Sequence, residues 1–98
     1  MSDLISHPEL YDGRRVRVVG FCRLEFEGDS LYAQSADYFH QVYKHGMWLD
    51  LDAEARRADL DLSDRYVVVE ATFDAKRQGH MGLWSGMLTA VTRIEPTP

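Results

Sequence analysis

The stretch Arg14-Arg15-Val16-Arg17-Val18-Val19-Gly20-Phe21-Cys22-Arg23-Leu24-Glu25-Phe26-Glu27 decides how this chain folds. From Val16, its even positions read Val16, Val18, Gly20, Cys22, Leu24 and Phe26. The odd positions read Arg15, Arg17, Val19, Phe21, Arg23, Glu25 and Glu27. Successive side chains of a strand point to opposite faces, so this is a β-strand with an apolar inner face and a mainly charged outer one. Gly20 sits in its middle, where a missing side chain permits a sharp bend or close approach. A long first strand bent at a glycine can serve two sheets at once, which is how a small five-stranded barrel closes.

Working outward, Gly28-Asp29 is a turn signal and Ser30–Gln34 a short second strand, so the turn residues predict a hairpin. Ser35-Ala36-Asp37 opens a loop or helical turn carrying Tyr38, Phe39, His40 and Tyr43. Met47–Leu51 alternates again, with Met47, Leu49 and Leu51 opposite Trp48 and Asp50. Residues 52–62 carry Ala53, Ala55 and Ala58 among charges and read as a short helix. The β-branched run Val67-Val68-Val69 centres a fourth strand over Arg65–Phe73. Leu83–Ile94 reads as a fifth strand broken by Gly86, and Ala75–Gly82 as the loop before it. Upstream, Pro8 suits a first helical position and Gly13 the residue after a helix end, so residues 2–13 read as a short helical preface. Leu4, Ile5, Leu10 and Tyr11 are expected to pack it on the barrel. The reading is mainly β: a five-stranded OB-like barrel with a short N-terminal helix and a short helix between strands 3 and 4, one domain over 1–98.

The run from Leu4 to Gly20, with Pro8, Tyr11, Gly13 and Arg14-Arg15 leading into Val16, Arg17 and Val19, resembles the opening of small bacterial OB-like domains. The run Phe73 to Gly86, containing Gly79-His80-Met81-Gly82 and Ser85-Gly86, resembles the same group. The resemblance implies the fold more than an activity. OB-like domains bind single-stranded nucleic acids, oligosaccharides or proteins, and some small acidic bacterial proteins of this size are immunity proteins that block a cognate toxin.

Composition narrows these choices. The 98 residues leave room for one core, and the charge of −5, from 11 Lys and Arg against 16 Asp and Glu, disfavours a polyanionic ligand. A single cysteine, Cys22, excludes an intramolecular disulfide and any multi-cysteine zinc site. It falls on the apolar face of strand 1, where a buried, inert thiol is expected rather than a nucleophile. His7, His40, His45 and His80 lack the clustered spacing of metal ligands, Ser85 lacks a nucleophile-elbow pattern, and no carboxylate pair specifies acid/base work. The chain therefore reads as a non-enzymatic module with no cofactor and no metal site. With no basic signal region and no apolar run long enough for a membrane span, it reads as cytoplasmic.

Phe21, Tyr32 and Trp48 fall opposite the apolar sets of their strands. In an OB barrel that surface binds ligands, and the rings could stack bases with Arg15, Arg17 and Arg23 on phosphates. Equally, they could fill a second small core beneath the N-terminal helix or the 35–46 loop. Asp50, Asp52, Glu54, Asp59, Asp61 and Asp64 form an acidic stretch beside Trp48 that could dock on a basic protein surface. His80, in the glycine loop between the last two strands, could lie close to a partner. The expectation is a protein-binding module, in its sharpest form an immunity-type inhibitor of a bacterial toxin or effector. Its contact set is Trp48, Asp50, Asp52, Glu54, Tyr32, Phe21 and His80. The alternative is single-stranded nucleic-acid binding, and a saccharide or small-ligand site is a more distant third. Oligomeric state is open at this level.

Overall fold

A computed structural model describes residues 1–25, 29–52, 62–78 and 82–98. Two short helices, α1 (Ser2–Ser6) and α2 (Pro8–Tyr11), precede β1 (Arg15–Arg23) and β2 (Ser30–Tyr32). Helix α3 (Ser35–Phe39) and a 3-10 turn (Tyr43–His45) lead to β3 (Gly46–Leu49), followed by β4 (Arg65–Asp74) and β5 (Met87–Pro96). The strands close a barrel in the order β1-β2-β3-β5-β4, antiparallel except for β3 against β5. This is the OB-like barrel that the alternation in 14–27 predicts.

β1 serves both halves of the barrel, as expected. Residues Arg15 to Cys22 pair with β4, while Phe21 to Arg23 pair with β2. Gly20 stands where the second pairing begins. A Cβ there would lie 2.5 Å from the Tyr32 carbonyl oxygen and 2.8 Å from Leu31 Cγ, so only glycine lets β2 approach so closely. Val18, Cys22 and Leu24 point inward and are buried, Val16 is half-buried, and Arg15, Arg17 and Val19 are exposed on the other face. Phe26 lies outside the described residues.

The barrel interior is filled by Leu31, Met47, Leu49, Val67, Val69, Phe73 and Leu88, each with almost no exposure. The β-branched and aliphatic residues at period 2 interdigitate here, and their burial is the main drive for folding. Leu4 enters this core from α1, with Ile5 and Tyr11 packed at its edge. Leu10, expected to pack as well, is 58% exposed. The helical preface is two segments with His7 between them, and a four-residue α2 does not carry all its apolar side chains to one face.

Several boundaries differ from the sequence-based expectation: β1 ends at Arg23, short of the stretch read as strand to Glu27, while β4 runs to Asp74 and β5 to Pro96. β2 stops at Tyr32 because Gln34 turns to cap α3: the Gln34 side chain accepts from the backbone of Asp37, whose carboxylate accepts the Gln34 N–H at 3.1 Å. β3 runs over Gly46–Leu49 rather than Met47–Leu51. β5 starts after Gly86 instead of being broken by it, since the Trp84 N–H bonds to the Gln78 carbonyl at 2.9 Å and folds Leu83–Ser85 back as a loop. The helix expected over 52–62 lies almost wholly outside the described residues; Leu62, at its end, is buried in the main core.

Candidate functional site

The outward face of β1, β2 and β3 is built in cross-strand rows. Arg23, Ser30 and Trp48 form one, and Phe21, Tyr32 and Gly46 the next. The 35–46 segment crosses this face, and a second cluster of Phe21, Tyr32 and Trp84, with Tyr38, Tyr43 and Trp48 against it, fills the space beneath. Phe21 is 5% and Tyr32 2% exposed. Tyr32 packs at 5.3 Å between ring centres on Trp84 and at 5.6 Å edge-on to Tyr38. Trp84 also meets Tyr43 at 5.1 Å and Trp48 at 5.8 Å, both edge-to-face. Such contacts each add about 0.5–1.5 kcal/mol beyond area burial. Burial also pushes the Tyr32 phenol up to about 12, because the ionised form would lose its hydration.

Gly46 makes this packing possible. A Cβ on it would stand 2.9 Å from Tyr32 Cδ1 and 3.0 Å from Trp84 Cζ3, so the bare backbone of β3 is the floor on which the two rings rest.

Polar contacts pin the covering segment from several sides. The Ser35 N–H donates to Tyr66 Oη on β4 at 2.9 Å, and the Tyr38 hydroxyl donates to Glu25 Oε1 at 2.7 Å. Asp37 Oδ1 lies 3.0 Å from His45 Nδ1, which ties α3 to the 3-10 turn. The Ser85 hydroxyl donates to the Lys44 carbonyl, and the Ala33 N–H to that of His45 at 2.9 Å. Arg23 is gripped by Glu25 at 2.7 Å and by both Asp64 carboxylate oxygens at 2.6 and 2.7 Å, with its guanidinium 5.0 Å from the centre of the Tyr38 ring. The Arg23 guanidinium, followed by the Tyr38 hydroxyl, holds the Glu25 carboxyl below its ordinary range.

These contacts settle which of the two readings of the outward aromatics applies. Phe21 and Tyr32 fill a second core under the 35–46 segment, so neither ring is open to a ligand from solvent. Trp48 keeps part of its surface exposed on the outer side of β3, with Asp50 exposed two residues on and Asp52 exposed beyond it. Glu54 and His80, the other expected contact residues, lie outside the described residues, as do Asp59 and Asp61. Of the arginines proposed for phosphates, Arg23 is committed to carboxylates. Arg15 donates to the Ala90 carbonyl at 2.6 Å and to the hydroxyls of Thr72 and Thr92. Arg17 alone of the three has no such partner among the described residues.

Cys22 is fully buried. Among the described residues no group of three His, Cys, Asp or Glu side chains is placed to hold a metal ion, and no helix is long and apolar enough to cross a membrane.

Sequence reasoning missed Trp84, whose ring is central to the second cluster, because it precedes β5 in a segment read as strand. It also missed an apolar patch formed by Val19 (50% exposed), Tyr66 (41%) and Phe39 (69%). The signal for it was present: Val19 and Phe21 are apolar side chains on the charged face of β1, and Tyr66 sits opposite Phe21 on β4.

Comparison of the chain with protein-family models, curated proteins and solved structures returns no match.

Proposed function

We propose that this barrel is a non-enzymatic protein-binding module whose contact surface is the outer edge of β3, with Trp48 at its centre and Asp50 and Asp52 beside it. One observation carries the reading. The face on which an OB barrel would stack bases is occupied by the chain's own Tyr38, Tyr43 and Trp84, while the β3 edge keeps an aromatic and two carboxylates at the surface. A part-exposed tryptophan beside carboxylates suits a basic protein surface: the ring supplies desolvated contact, and the charges steer the encounter. The engagement of Arg15 and Arg23 within the chain weighs against phosphate binding. In its specific form the module is an immunity-type inhibitor, docking its acidic edge on the basic active face of a cognate toxin or effector.

The test is charge reversal. Immobilised wild-type protein is exposed to a lysate of the source cells in parallel with the variant carrying Asp50→Lys and Asp52→Lys. A protein retained by the wild type and lost by the variant is expected. Once purified, it should associate with the variant at least tenfold more slowly, with the difference shrinking as salt is raised. Equal retention by both forms overturns the acidic-edge reading.

A further inference from the structure

A second surface lies across the barrel from the β3 edge. On the outward face of β4, β1 and β5, cross-strand rows run Phe21–Tyr66, then Val19–Val68–Glu95, then Arg17–Glu70–Arg93. Phe39 of α3 lies 6.2 Å from Phe21, extending the apolar part of this face with its ring largely in solvent. Val19, Tyr66 and Phe39 thus form an exposed apolar centre at the seam of β1 and β4. Cations flank it. Glu70 and Glu95 are both engaged by Arg93, at 3.6 and 3.0 Å, which leaves Arg17 with no ion pair among the described residues. Arg65, exposed beside Tyr66, likewise has none among them.

The strand order sets where this face lies relative to the acidic edge. In the closed order β1-β2-β3-β5-β4, β3 stands opposite the β1–β4 seam. One side of the barrel therefore offers an aromatic with aspartates, and the far side offers apolar side chains with Arg17 and Arg65, neither ion-paired among the described residues. Two such faces on opposite sides of one molecule complement each other in a head-to-tail sense. A twofold contact through either alone would bring like charges together.

We infer that the Val19–Tyr66–Phe39 face docks the Trp48–Asp50–Asp52 edge of a second copy of this chain. Trp48 of one copy lies on the apolar centre, and Asp50 and Asp52 face Arg17 and Arg65 of the other. The inference rests on the β3 edge being a protein-contact surface, as proposed above. It adds that self-association and partner binding compete for that edge, so assembly masks it until a stronger basic partner arrives. Three apolar side chains and a few ion pairs make an interface below the roughly 1,200 Å² of stable complexes, so association is weak and shows at about 100 µM protein or above.

Sedimentation velocity on the whole chain, from about 10 µM to about 1 mM, tests this. The wild type is expected to show a sedimentation coefficient that rises with concentration and falls back when salt reaches about 0.5 M. The variant with Arg17→Glu and Arg65→Glu is expected to remain monomeric, as is the variant with Asp50→Lys and Asp52→Lys. An equimolar mixture of the two should associate again, because each supplies a face complementary to the other. Phe39→Glu should also abolish association; because the Phe39 ring packs on Phe21 and Tyr38, its urea-unfolding midpoint is compared with the wild type's in parallel. A wild type that stays monomeric throughout, or variants that associate as the wild type does, would overturn the inference. A monomeric wild type whose lysate partner is still lost on reversing Asp50 and Asp52 would remove self-association alone. Self-association that persists while the lysate comparison finds no difference would remove the heterologous partner instead.

Discussion

Gly46 and Tyr32 show how much of the second core depends on single atoms. Because a methyl group at 46 would press within 2.9 Å of the Tyr32 ring and 3.0 Å of Trp84, Gly46→Ala is expected to lower stability by about 1–3 kcal/mol, read from the midpoint of urea unfolding. Both tryptophans belong to this cluster, so their emission should shift to the red in the native variant. An unchanged midpoint would mean that the rings do not rest on β3. Tyr32 predicts a pH effect of definite sign. Its phenol titrates near 10 when the chain is unfolded and is pushed up to about 12 when folded. The stability it contributes is intact below the lower value and is lost as pH rises through the interval between them. Tyr32→Phe should therefore flatten the fall in unfolding midpoint between about pH 10 and about pH 12 relative to the wild type. A fall of the same steepness would place that phenol in solvent.

At the scale of elements, the 35–46 segment is held by contacts that a sequence does not announce. The Tyr38 hydroxyl, Glu25, Arg23 and Asp64 join α3, the end of β1 and the turn before β4 in one charged chain. Glu25→Gln removes the charge that grips Arg23 and weakens the acceptor for Tyr38. Part-exposed pairs of this kind contribute little individually, so a loss of about 0.5–1.5 kcal/mol is expected. The loss should vanish at acid pH, because the Glu25 carboxyl is held below its ordinary range and its contribution disappears as it protonates in the fold. A Glu25→Gln penalty independent of pH would argue that packing, not charge, is what the residue supplies.

The strands were legible because burial imposes a strict period: Val16, Val18, Cys22 and Leu24 can face one core only if residues 14–24 are extended. The glycine bend was legible for the same local reason. What covers the outer face was not, since Trp84 is held near Tyr32 by its N–H bonding back to the Gln78 carbonyl, and α3 is fixed by Tyr66 from thirty-one residues away. The fate of Phe21 and Tyr32 hangs on those distant partners, so alternation could place them outward without saying whether solvent or protein meets them. Leu10 failed in the opposite direction, because a helix split at His7 does not keep one apolar stripe.

On the scale of the whole molecule, the described residues build two surfaces of different chemistry on a chain with a modest overall excess of acid. Aspartates mark the β3 edge, and arginines flank the apolar seam of β1 and β4 on the far side. Between them, the face that would hold bases is closed by the chain's own rings, and that closure is the claim on which the protein-binding account depends. Labelled single-stranded oligonucleotides titrated with the wild type at about 50 mM salt test it most directly, following anisotropy together with the emission of Trp48 and Trp84. The account predicts no change in either signal. Binding that quenches the tryptophans and releases steeply as salt rises would contradict it.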